Sequence, residues 1–328
     1  MECWITVDVT VLPVREHPPD CNPMSKLATK LAKLALRILP AYPGTDYKPL
    51  DQITAEAAIR LARLAYDDEN ESGCGFLKYF EGEVNVSGGI ILDLGCGFGG
   101  RTIAYQQVTG NTCVGVDIDS RASTAGLQFA RSMGSTNAFF ATAVGESLPF
   151  TNDSFDAVLC YDVLEHVQDL ERTLAEVYRV LKPAGLLLTV FPPYFHPKGS
   201  HLEGYVSRVP WANLIFPSKV LLRAIDELLE ERGDGYRPQT LRPGDRLYSL
   251  NGVTIRSFRG ILKRSNFEVL RLELLPLLNK MIRQFDRWKM HYYAWLFHPL
   301  SRIPVLQELF THRIVAILRK PQPTVAPR

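Results

Sequence analysis

The segment that most constrains the fold is residues 90–102, IILDLGCGFGGRT, in which an apolar run ends at Asp93 and three glycines follow at alternate positions. Gly95, Gly97 and Gly99 allow a tight turn and a close approach of the backbone to a ligand. A buried strand, a glycine turn and a helix start bind nucleotide-like ligands in open α/β sheets. The spacing differs from the dinucleotide fingerprint, and glycine turns also serve plain close packing, so both interpretations remain open on this segment alone.

A second apolar run favours the ligand interpretation. Residues 112–119, TCVGVDID, are typical of a buried strand that ends in an acid. Asp117 lies twenty positions after Gly97. A carboxylate at that position can accept two hydrogen bonds from ribose hydroxyls. The alternative is a surface aspartate that merely closes the strand.

Six motifs occur in a fixed order along the chain. They are DLGCGFG at 93–99, VGVDID at 114–119, LPF at 148–150, SFD at 154–156, DVLEHV at 162–167 and RVLKPAG at 179–185. Together they resemble a class I S-adenosylmethionine-dependent methyltransferase of the small-molecule type (methyltransferase type 11), the group that includes quinone-biosynthesis methyltransferases. The resemblance is strong over residues 75–192 and weaker over 249–275 and 311–320. It concerns the cofactor rather than the methyl acceptor.

The alternation of strand and helix signals predicts an α/β fold with a doubly wound, mostly parallel sheet. We predict strands at 90–94, 112–117, 138–143, 156–161 and 185–191, and helices at 25–39, about 52–67, 100–108, 120–133 and 169–181. By resemblance, the sheet has seven strands in a Rossmann-like methyltransferase fold. Its last two strands are 267–275 and 312–320, and the final one is antiparallel to the rest.

The chain divides into a cofactor-binding core with helical additions. The predicted parts are an N-terminal extension (1–85), partly flexible and then helical, the core (86–191), a cap insertion (192–248), a continuation of the core (249–275), an aromatic-rich cap insertion (276–310), and the last strand with a tail (311–328). Insertions that leave the carboxyl ends of strands lie above the ligand crevice. We therefore expect the two insertions to build the acceptor pocket, the alternative being a structural cap without acceptor contacts.

The resemblance implies S-adenosyl-L-methionine as the cofactor, with its amino-acid end at the glycine turn and its ribose at Asp117. The predicted cofactor-binding residues are Asp93, Gly95, Gly97, Gly99, Asp117, Ile118, Gly145, Glu146 and Tyr161. In the family an acid after the third strand often receives the adenine amino group. Val144 stands at the matching position here, and the backbone of Gly145, or Glu146, is predicted to substitute for it.

Methyl transfer from a sulfonium needs few protein groups. The enzyme must align the nucleophile with the S–CH₃ bond, and a base matters only for an acceptor that arrives protonated. Glu165 and His166 follow the fourth strand. We predict His166 as a general base, with His196 and His201 behind it, although a local structural role for His166 is an equal alternative. The His-x4-His spacing of His196 and His201 lacks a placed carboxylate, and no metal site is predicted.

Composition narrows the partners and the compartment. The net charge of +2 with interspersed charges argues against nucleic acid, the six cysteines show no metal-ligand spacing, and no apolar run is long enough for a membrane span. A cytoplasmic enzyme for a small apolar or aromatic acceptor is the leading hypothesis, with O-methylation preferred over C-methylation. One rival is a nucleic-acid or protein methyltransferase, whose best case is the basic neighbourhood of Arg283, Arg287, Lys289 and Arg302. The other is a non-enzymatic cofactor-binding scaffold.

The helix predicted at 25–39 is amphipathic. Leu27, Leu31, Leu34 and Ile38 fall on one face, and Lys26, Lys30, Lys33 and Arg37 on another. This pattern favours weak, reversible contact with a membrane surface, against the alternative of a helix packed on the sheet with a solvated basic face. Met24 is an alternative start residue, and the oligomeric state is left open.

Overall fold

The fold was analysed in a computed structural model. It describes residues 23–40, 53–71, 75–81, 88–199, 201–202, 206–232, 250–277, 299–304 and 306–322. All of the predicted site residues lie in these ranges. The tryptophan- and tyrosine-rich part of the second insertion, and Arg283, Arg287 and Lys289 with it, lie outside the described residues.

The described strands form one seven-stranded sheet. They are β1 (Ile90–Leu94), β2 (Thr112–Asp117), β3 (Ala138–Thr142), β4 (Phe155–Tyr161), β5 (Leu181–Phe191), β6 (Glu268–Pro276) and β7 (Thr311–Arg319). Their order across the sheet is β3-β2-β1-β4-β5-β7-β6, and β7 pairs antiparallel with both of its neighbours while β1 to β5 pair in parallel. The predicted mostly parallel sheet with a final antiparallel strand is confirmed. The strand order reverses between β1 and β4, because β2 and β3 lie on one side of β1 and β4 and β5 on the other. In open α/β folds, ligands bind in the crevice at such a point.

Eight α-helices are found among the described residues. They are α1 (Pro23–Ile38), α2 (Ala55–Glu71), α3 (Gly100–Thr109), α4 (Ser120–Ser132), α5 (Leu170–Val180), α6 (Ala212–Ile215), α7 (Ser218–Arg232) and α8 (Ile255–Arg264). Asp119 and Asp169 cap α4 and α5 by accepting backbone N–H bonds, and Thr254 forms a capping box with Ser257 at α8. Such caps satisfy donors that a helix start leaves free, so local sequence fixes where these helices begin.

Both faces of the sheet are covered, as alternation along the strands requires. Leu92 and Leu94 of β1 pack in one apolar core with α5 and α8, whereas Ile91 faces the opposite core with Tyr105 of α3. Successive side chains of a strand point to opposite faces. A strand buried on both sides therefore reads as a continuous apolar run, which is why β1 is recognisable in the sequence.

One predicted boundary is different in the structure. The Lys182-Pro183-Ala184-Gly185 stretch was expected to turn before a strand that starts at 185, but β5 already begins at Leu181. Its pairing with β4 shifts register between Phe155 and Ala157, and Ala184 has a positive φ of 67°. The turn is thus a bulge inside β5, since a bulge adds unpaired residues without ending the strand.

The N-terminal helix packs against the first insertion rather than on the sheet. Ala32 and Leu36 of α1 join an apolar cluster with residues of α6, α7 and the 194–206 loop. Lys33 pairs with Glu227 and Glu231 of α7, each at 2.7 Å, and Arg37 pairs with Glu231. The alternative of a helix packed on the sheet is therefore wrong, because α1 packs on α7 through a small-residue face and part of its basic face is used in ion pairs. The predicted contact with a membrane surface stays a prediction.

The predicted apolar face of α1 lies at the surface of the described protein. Met24, Leu27, Leu31, Leu34 and Ile38 are between 53% and 72% exposed. Among the residues that the structure covers, no helix has the length and apolarity that crossing a bilayer would need.

A glycine contact between α2 and α3 gives a test of this packing. A Cβ on Gly100 would lie 1.9 Å from the backbone oxygen of Ala62, so Gly100→Ala must push α2 away from the glycine turn. We expect a loss of about 1–3 kcal/mol in the free energy of unfolding, as for other overpacked sites. Gly260→Ala is the matched control. Its nearest neighbour would be a flexible Arg264 atom at 3.5 Å, and alanine inside a helix should stabilise by about 0.5–1 kcal/mol. Urea unfolding of both variants measures this contrast, and equal effects would contradict it.

Candidate functional site

The glycine turn links the end of β1 to the start of α3. Gly95, Gly97 and Gly99 all have positive φ, at 76°, 52° and 82°. A Cβ on Gly95 would meet Val163 at 2.1 Å, and one on Gly99 would meet Phe140 at 2.5 Å, whereas a Cβ on Gly97 would meet nothing within 4 Å. The outer glycines thus serve packing, and Gly97 borders open space. No side chain caps the start of α3, which leaves backbone N–H groups there available to a ligand.

Asp117 ties this turn to the end of β2. Its Oδ2 accepts a hydrogen bond from Gly97 N at 2.9 Å, and its Oδ1 accepts one from Asp119 N at 3.0 Å. Burial raises the pKa of Asp117, and these backbone bonds oppose the rise. A carboxylate offers about four lone-pair positions, so Asp117 retains capacity for ribose hydroxyls. Ile118, which follows it, is an exposed apolar side chain at the edge where a nucleoside would lie.

Asp93 lies beneath the turn instead of on its surface. It is buried, and its Oδ2 accepts a hydrogen bond of 2.6 Å from the Thr102 hydroxyl of α3. Burial raises the pKa of this carboxyl to about 7, despite the opposing hydrogen bond. Asp93 therefore anchors the first turn of α3. A cation bound near the turn would favour the ionised form of its carboxyl group.

Residues of the predicted N-terminal extension lie along one side of the glycine turn. Arg101 of α3 pairs with Asp68 of α2 at 2.9 Å, and its guanidinium lies 4.9 Å from the ring centroid of Tyr161 at the end of β4. The short 3-10 helix Phe76–Phe80 adds Phe76, whose ring centroid is 5.4 Å from that of Tyr161. Tyr161 is thus held between aromatic and cationic neighbours beside the glycine turn.

The loop after β3 supplies Gly145 and Glu146. Glu146 Oε1 accepts hydrogen bonds from the backbone N–H groups of Gln168 and Asp169, at 2.6 and 3.1 Å. The carboxylate therefore holds the segment that enters α5, and it is already engaged where an adenine contact was predicted. The backbone of Gly145 lies close to Val167 and Thr173, so the two loops that would flank an adenine are packed together.

The loop after β4 carries an unusual concentration of buried charge. Asp162 has a positive φ of 57° and pairs with Arg313 of β7. Glu165 is only 3% exposed, and neither of its carboxylate oxygens has a hydrogen-bond partner. Burial and the nearby charge of Asp162 raise the pKa of Glu165 well above its ordinary value. An unsatisfied buried carboxylate is costly, so Glu165 is a candidate functional residue.

Two of the three predicted histidines meet at this carboxylate. The rings of His166 and His201 lie 5.1 Å apart between centroids, and His166 Nε2 lies 3.9 Å from Glu165 Oε1. Burial lowers the pKa of both histidines, to about 3 for His201, so their imidazoles are neutral near neutral pH. A small cavity with an empty volume of about 180 Å³, part of it open to solvent, lies beside Glu165 and His201. Its other walls include Pro192, Pro193, Tyr194, Leu250 and Val253.

His196 is placed elsewhere. Its Nδ1 accepts a hydrogen bond from Lys198 N, which leaves Nε2 protonated to donate to Nδ1 of His312 at 3.1 Å. His196 is buried, and burial lowers its pKa well below the ordinary value. The structure therefore separates His196 and His201, which the sequence had grouped by spacing, and pairs each with a histidine from a different strand end.

Two polar residues that the sequence did not single out hold the loops around this cavity in place. The Asn251 amide donates to the carbonyl oxygens of Leu164 and Val167, at 2.7 and 2.9 Å, and so fixes the loop that carries Glu165 and His166. The Glu308 carboxylate accepts from Phe195 N and Ile255 N, each at 3.2 Å. Only the turn-forming Asn251-Gly252 pair gave a sequence signal, and that signal indicated a turn rather than a support for a distant loop.

The described parts of both insertions reach this edge of the sheet. The cavity is lined by residues of the first insertion, including Pro192, Pro193, Tyr194 and His201. Glu308 of the second insertion accepts a hydrogen bond from Phe195 N of the first insertion. The division of the chain into core and caps, and the role of the caps, stay predictions.

Comparison with known proteins agrees with this geometry. Residues 92–189 match a protein-family model described as a methyltransferase domain. The uncharacterized methyltransferase YcgJ of Bacillus subtilis is 33% identical over 119 residues, which is 36% of this chain and 46% of that protein. The ubiquinone/menaquinone biosynthesis C-methyltransferase UbiE of Klebsiella pneumoniae is 30% identical over 155 residues, 46% of this chain and 57% of that protein. The chain thus spans about half the length of the curated relatives it matches.

A solved structure supports the fold over a longer stretch. Haemonchus contortus phosphoethanolamine N-methyltransferase 2, determined in complex with S-adenosyl-L-methionine, covers 83% of this chain with a TM-score of 0.51. The sequence identity is 17%, and the match covers 59% of that chain, so the likeness concerns the fold. The match of residues 92–189 to the methyltransferase domain model confirms the resemblance to class I S-adenosylmethionine-dependent methyltransferases that the six motifs predict.

The raised pKa of Asp93 predicts a pH dependence of stability. An unfolded aspartate titrates near pH 4, whereas Asp93 in the fold titrates at about 7. Between these values the folded state holds a proton that the unfolded state lacks, so this group's contribution to stability falls as pH rises through the window. Asp93→Asn removes the titration and retains an oxygen for Thr102. Its stability relative to the parent should rise by a few kcal/mol from about pH 5 to about pH 8. Urea unfolding across this range measures it, and a constant difference would contradict the assignment.

Proposed function

We propose that this chain binds S-adenosylmethionine at the edge formed by β1, β2 and β4 and transfers its methyl group to a small acceptor. The observation that carries the proposal is the glycine turn hydrogen-bonded to Asp117, with uncapped N–H groups at the start of α3. Asp93, Gly95, Gly97 and Gly99 form or support the turn. Ile118, Tyr161, the Gly145 backbone and Glu146 complete the proposed cofactor site, Glu146 by holding the loop rather than by touching adenine.

The residues present fit such a cofactor. The N–H groups at the start of α3 suit its carboxylate, and Asp117 suits its ribose, while the buried Asp93 supports the turn from below through Thr102. When bound, S-adenosylmethionine supplies a methyl group already activated by the positively charged sulfur. The acceptor atom forms a bond to the methyl carbon while the C–S bond breaks and its electron pair goes to sulfur. The protein's part is to exclude water and to align the acceptor, which can lower the barrier by about 7–11 kcal/mol.

The acceptor site is proposed at the cavity between the β4 loop and the first insertion. Its walls are mostly apolar, with Glu165 and His201 as polar exceptions, which supports a small, apolar or aromatic acceptor with one polar group. Part of its empty volume of about 180 Å³ is open to solvent, so the cavity marks where an acceptor would enter and is not a closed pocket. An acceptor hydroxyl would meet polar groups at one end of the cavity, which favours O-methylation over C-methylation. The acid–base roles of His166, His196 and His201 stay predictions.

The cofactor assignment is tested by Asp117→Ala. Loss of the carboxylate removes charge-assisted hydrogen bonds to the ribose and the anchor of Gly97, and should weaken S-adenosylmethionine binding by about 10- to 100-fold. Isothermal titration calorimetry measures the affinity. Asp67→Ala is the control, because Asp67 is an exposed carboxylate on α2 that pairs loosely, at 3.7 Å, with Arg63. Unchanged affinity in the folded Asp117 variant would refute the ribose assignment.

The acceptor class has its own experiment. Cell extract is incubated with the protein and isotope-labelled S-adenosylmethionine, and methylated products are resolved by mass. Asp117→Ala serves as the blank. Labelled small apolar molecules that depend on the parent protein support the proposal, whereas label found only in protein or nucleic acid points to the rival class.

The exposed face of α1 supports a second proposal, reversible docking on an anionic membrane surface. The apolar stripe of Met24, Leu27, Leu31, Leu34 and Ile38 is at the surface, and Lys26 and Lys30 beside it are exposed and have a charge complementary to anionic lipids. Helices of this kind lie in the interface with basic residues near the headgroups. Docking there would bring a protein with an apolar acceptor cavity to a source of lipid-like acceptors.

Vesicle co-sedimentation tests this docking. The double variant Leu31→Glu with Leu34→Glu should lose most binding to phosphatidylserine-containing vesicles at low salt, because it places two acids in the apolar stripe. Val108→Glu on α3 is the control, since Val108 is a similarly exposed apolar side chain outside the stripe, 63% exposed. Equal recovery of the parent protein with neutral and anionic vesicles would contradict the proposal.

A further inference from the structure

We propose that Glu165, His166 and His201 form a binding site for one divalent transition-metal ion beside the acceptor cavity. This inference rests on the proposed function only for its relevance to methyl transfer, because the metal site itself is a property of the fold. Sequence spacing did not predict it, since the only spaced pair, His196 and His201, had no carboxylate between them.

The three side chains converge from two separate loops. Glu165 and His166 lie on the loop after β4, and His201 lies on the loop after β5. One ligand atom from each, a carboxylate oxygen and two ring nitrogens, falls within 4.8 Å of the others. Zinc held at about 2.0–2.1 Å in a tetrahedral site keeps its ligand atoms roughly 3.3 Å apart. Side-chain rotations that move these ligand atoms by about 1 Å would therefore close the site around an ion.

Glu165 gives independent evidence for a cation. Its carboxylate is 3% exposed, and both oxygens lack a hydrogen-bond partner in the described structure. The nearby buried cation, Arg313, is already paired with Asp162. Buried carboxyl oxygens without a hydrogen-bond partner are unfavourable, whereas a bound metal ion would satisfy the same oxygens. The fold thus maintains a carboxylate whose burial a bound ion would compensate.

The donor set and its surroundings indicate the class of ion. Two imidazoles and one carboxylate suit zinc, iron, cobalt, nickel or manganese better than calcium or magnesium, which prefer oxygen ligands. Catalytic sites of this type keep three protein ligands and leave a position for water or substrate. The cavity lined by Glu165 and His201 provides space for that position.

The site would have a defined use in the proposed reaction. An acceptor hydroxyl that coordinates the ion has a lower pKa and loses its proton more readily. The proton passes to solvent, and the resulting oxygen attacks the methyl carbon while sulfur takes the electron pair of the C–S bond. His166 is then a ligand rather than the general base expected from the sequence.

Metal binding is measured directly on the full chain, with any affinity tag removed and bound metal stripped by a chelator. Co²⁺ is titrated by calorimetry and by visible absorption. We expect one high-affinity Co²⁺ ion per chain with d–d absorption bands, and competition by Zn²⁺. Glu165→Gln and His201→Asn should each weaken Co²⁺ binding at least about tenfold. His312→Asn is the matched control, because it removes a partly buried imidazole that pairs with His196 outside the trio.

S-adenosylmethionine affinity is measured on the same samples. Retained cofactor binding shows that a variant is folded, and it separates failure of the metal proposal from failure of the proposed function. If Glu165→Gln does not fold, the parent protein and His201→Asn decide. No Co²⁺ binding by the parent protein, or the same affinity in the folded Glu165 and His201 variants as in the parent, would overturn the proposal. Loss in His312→Asn alone would place the ion elsewhere and would also overturn it.

Discussion

The hydrogen bond from Gly97 N to Asp117 Oδ2 connects the two strand ends on which the candidate site depends. It fixes the glycine turn after β1 relative to the end of β2, and Gly95 and Cys96 add bonds of 2.7 and 3.0 Å to the Val116 carbonyl oxygen. The start of α3 is thereby held in place, with Asp93 bonded to Thr102 from below. A ligand that uses the N–H groups of α3 and the carboxylate of Asp117 meets a preorganised surface, which lowers the entropy lost on binding.

The carboxyl edge of the sheet collects buried charge of both signs. Asp93, Asp117 and Glu165 contribute acids with raised pKa, each chiefly through burial. Arg313 is bound to Asp162, and Arg101 lies against Tyr161. Such groups destabilise a fold that holds no ligand, because desolvation of an ion in the interior is only partly offset by its partners. Strained or unsatisfied groups of this kind concentrate where binding restores their interactions.

The sequence predicted the strands and the glycine turn well because they are encoded locally. An apolar run, alternate glycines and a following acid give β1, the turn and the end of β2, and all seven strands lie within a few residues of their expected positions. The acceptor side could not be predicted in the same way. Arg313 meets Asp162 only because β7 pairs with β5 in one register, and His201 meets Glu165 only through the path of the insertion. Contacts between distant segments leave no periodic trace in the chain.

The N-terminal helix shows the same limit from another side. Periodicity correctly placed Leu27, Leu31, Leu34 and Ile38 on one face, but a face that is apolar is not thereby a buried face. The structure buries the small-residue side of α1 against α7 and fixes it with Lys33 and Arg37, which pair with acids of that helix. The sequence pattern predicts that α1 is amphipathic. It does not show which face is buried, because that depends on contacts with α7, including the ion pairs of Lys33 and Arg37.

The supports of the acceptor side are few and local. Asn251 holds the loop of Glu165 and His166 through three hydrogen bonds, two from its side-chain amide and one from its backbone N–H to the Glu165 carbonyl oxygen. Glu308 joins the start of α8 to the loop after β5. None of these residues contacts the glycine turn through a described hydrogen bond. The glycine turn and the loop of Glu165 therefore have separate polar scaffolds, with Tyr161 at the end of β4 beside the first and Glu165 in the following loop. Under the proposed function, substitutions in the insertions would change the acceptor pocket while the hydrogen bonds of Asp117 and Asp93 keep the glycine turn unchanged. A fold that serves many acceptors with one methyl donor needs such an arrangement.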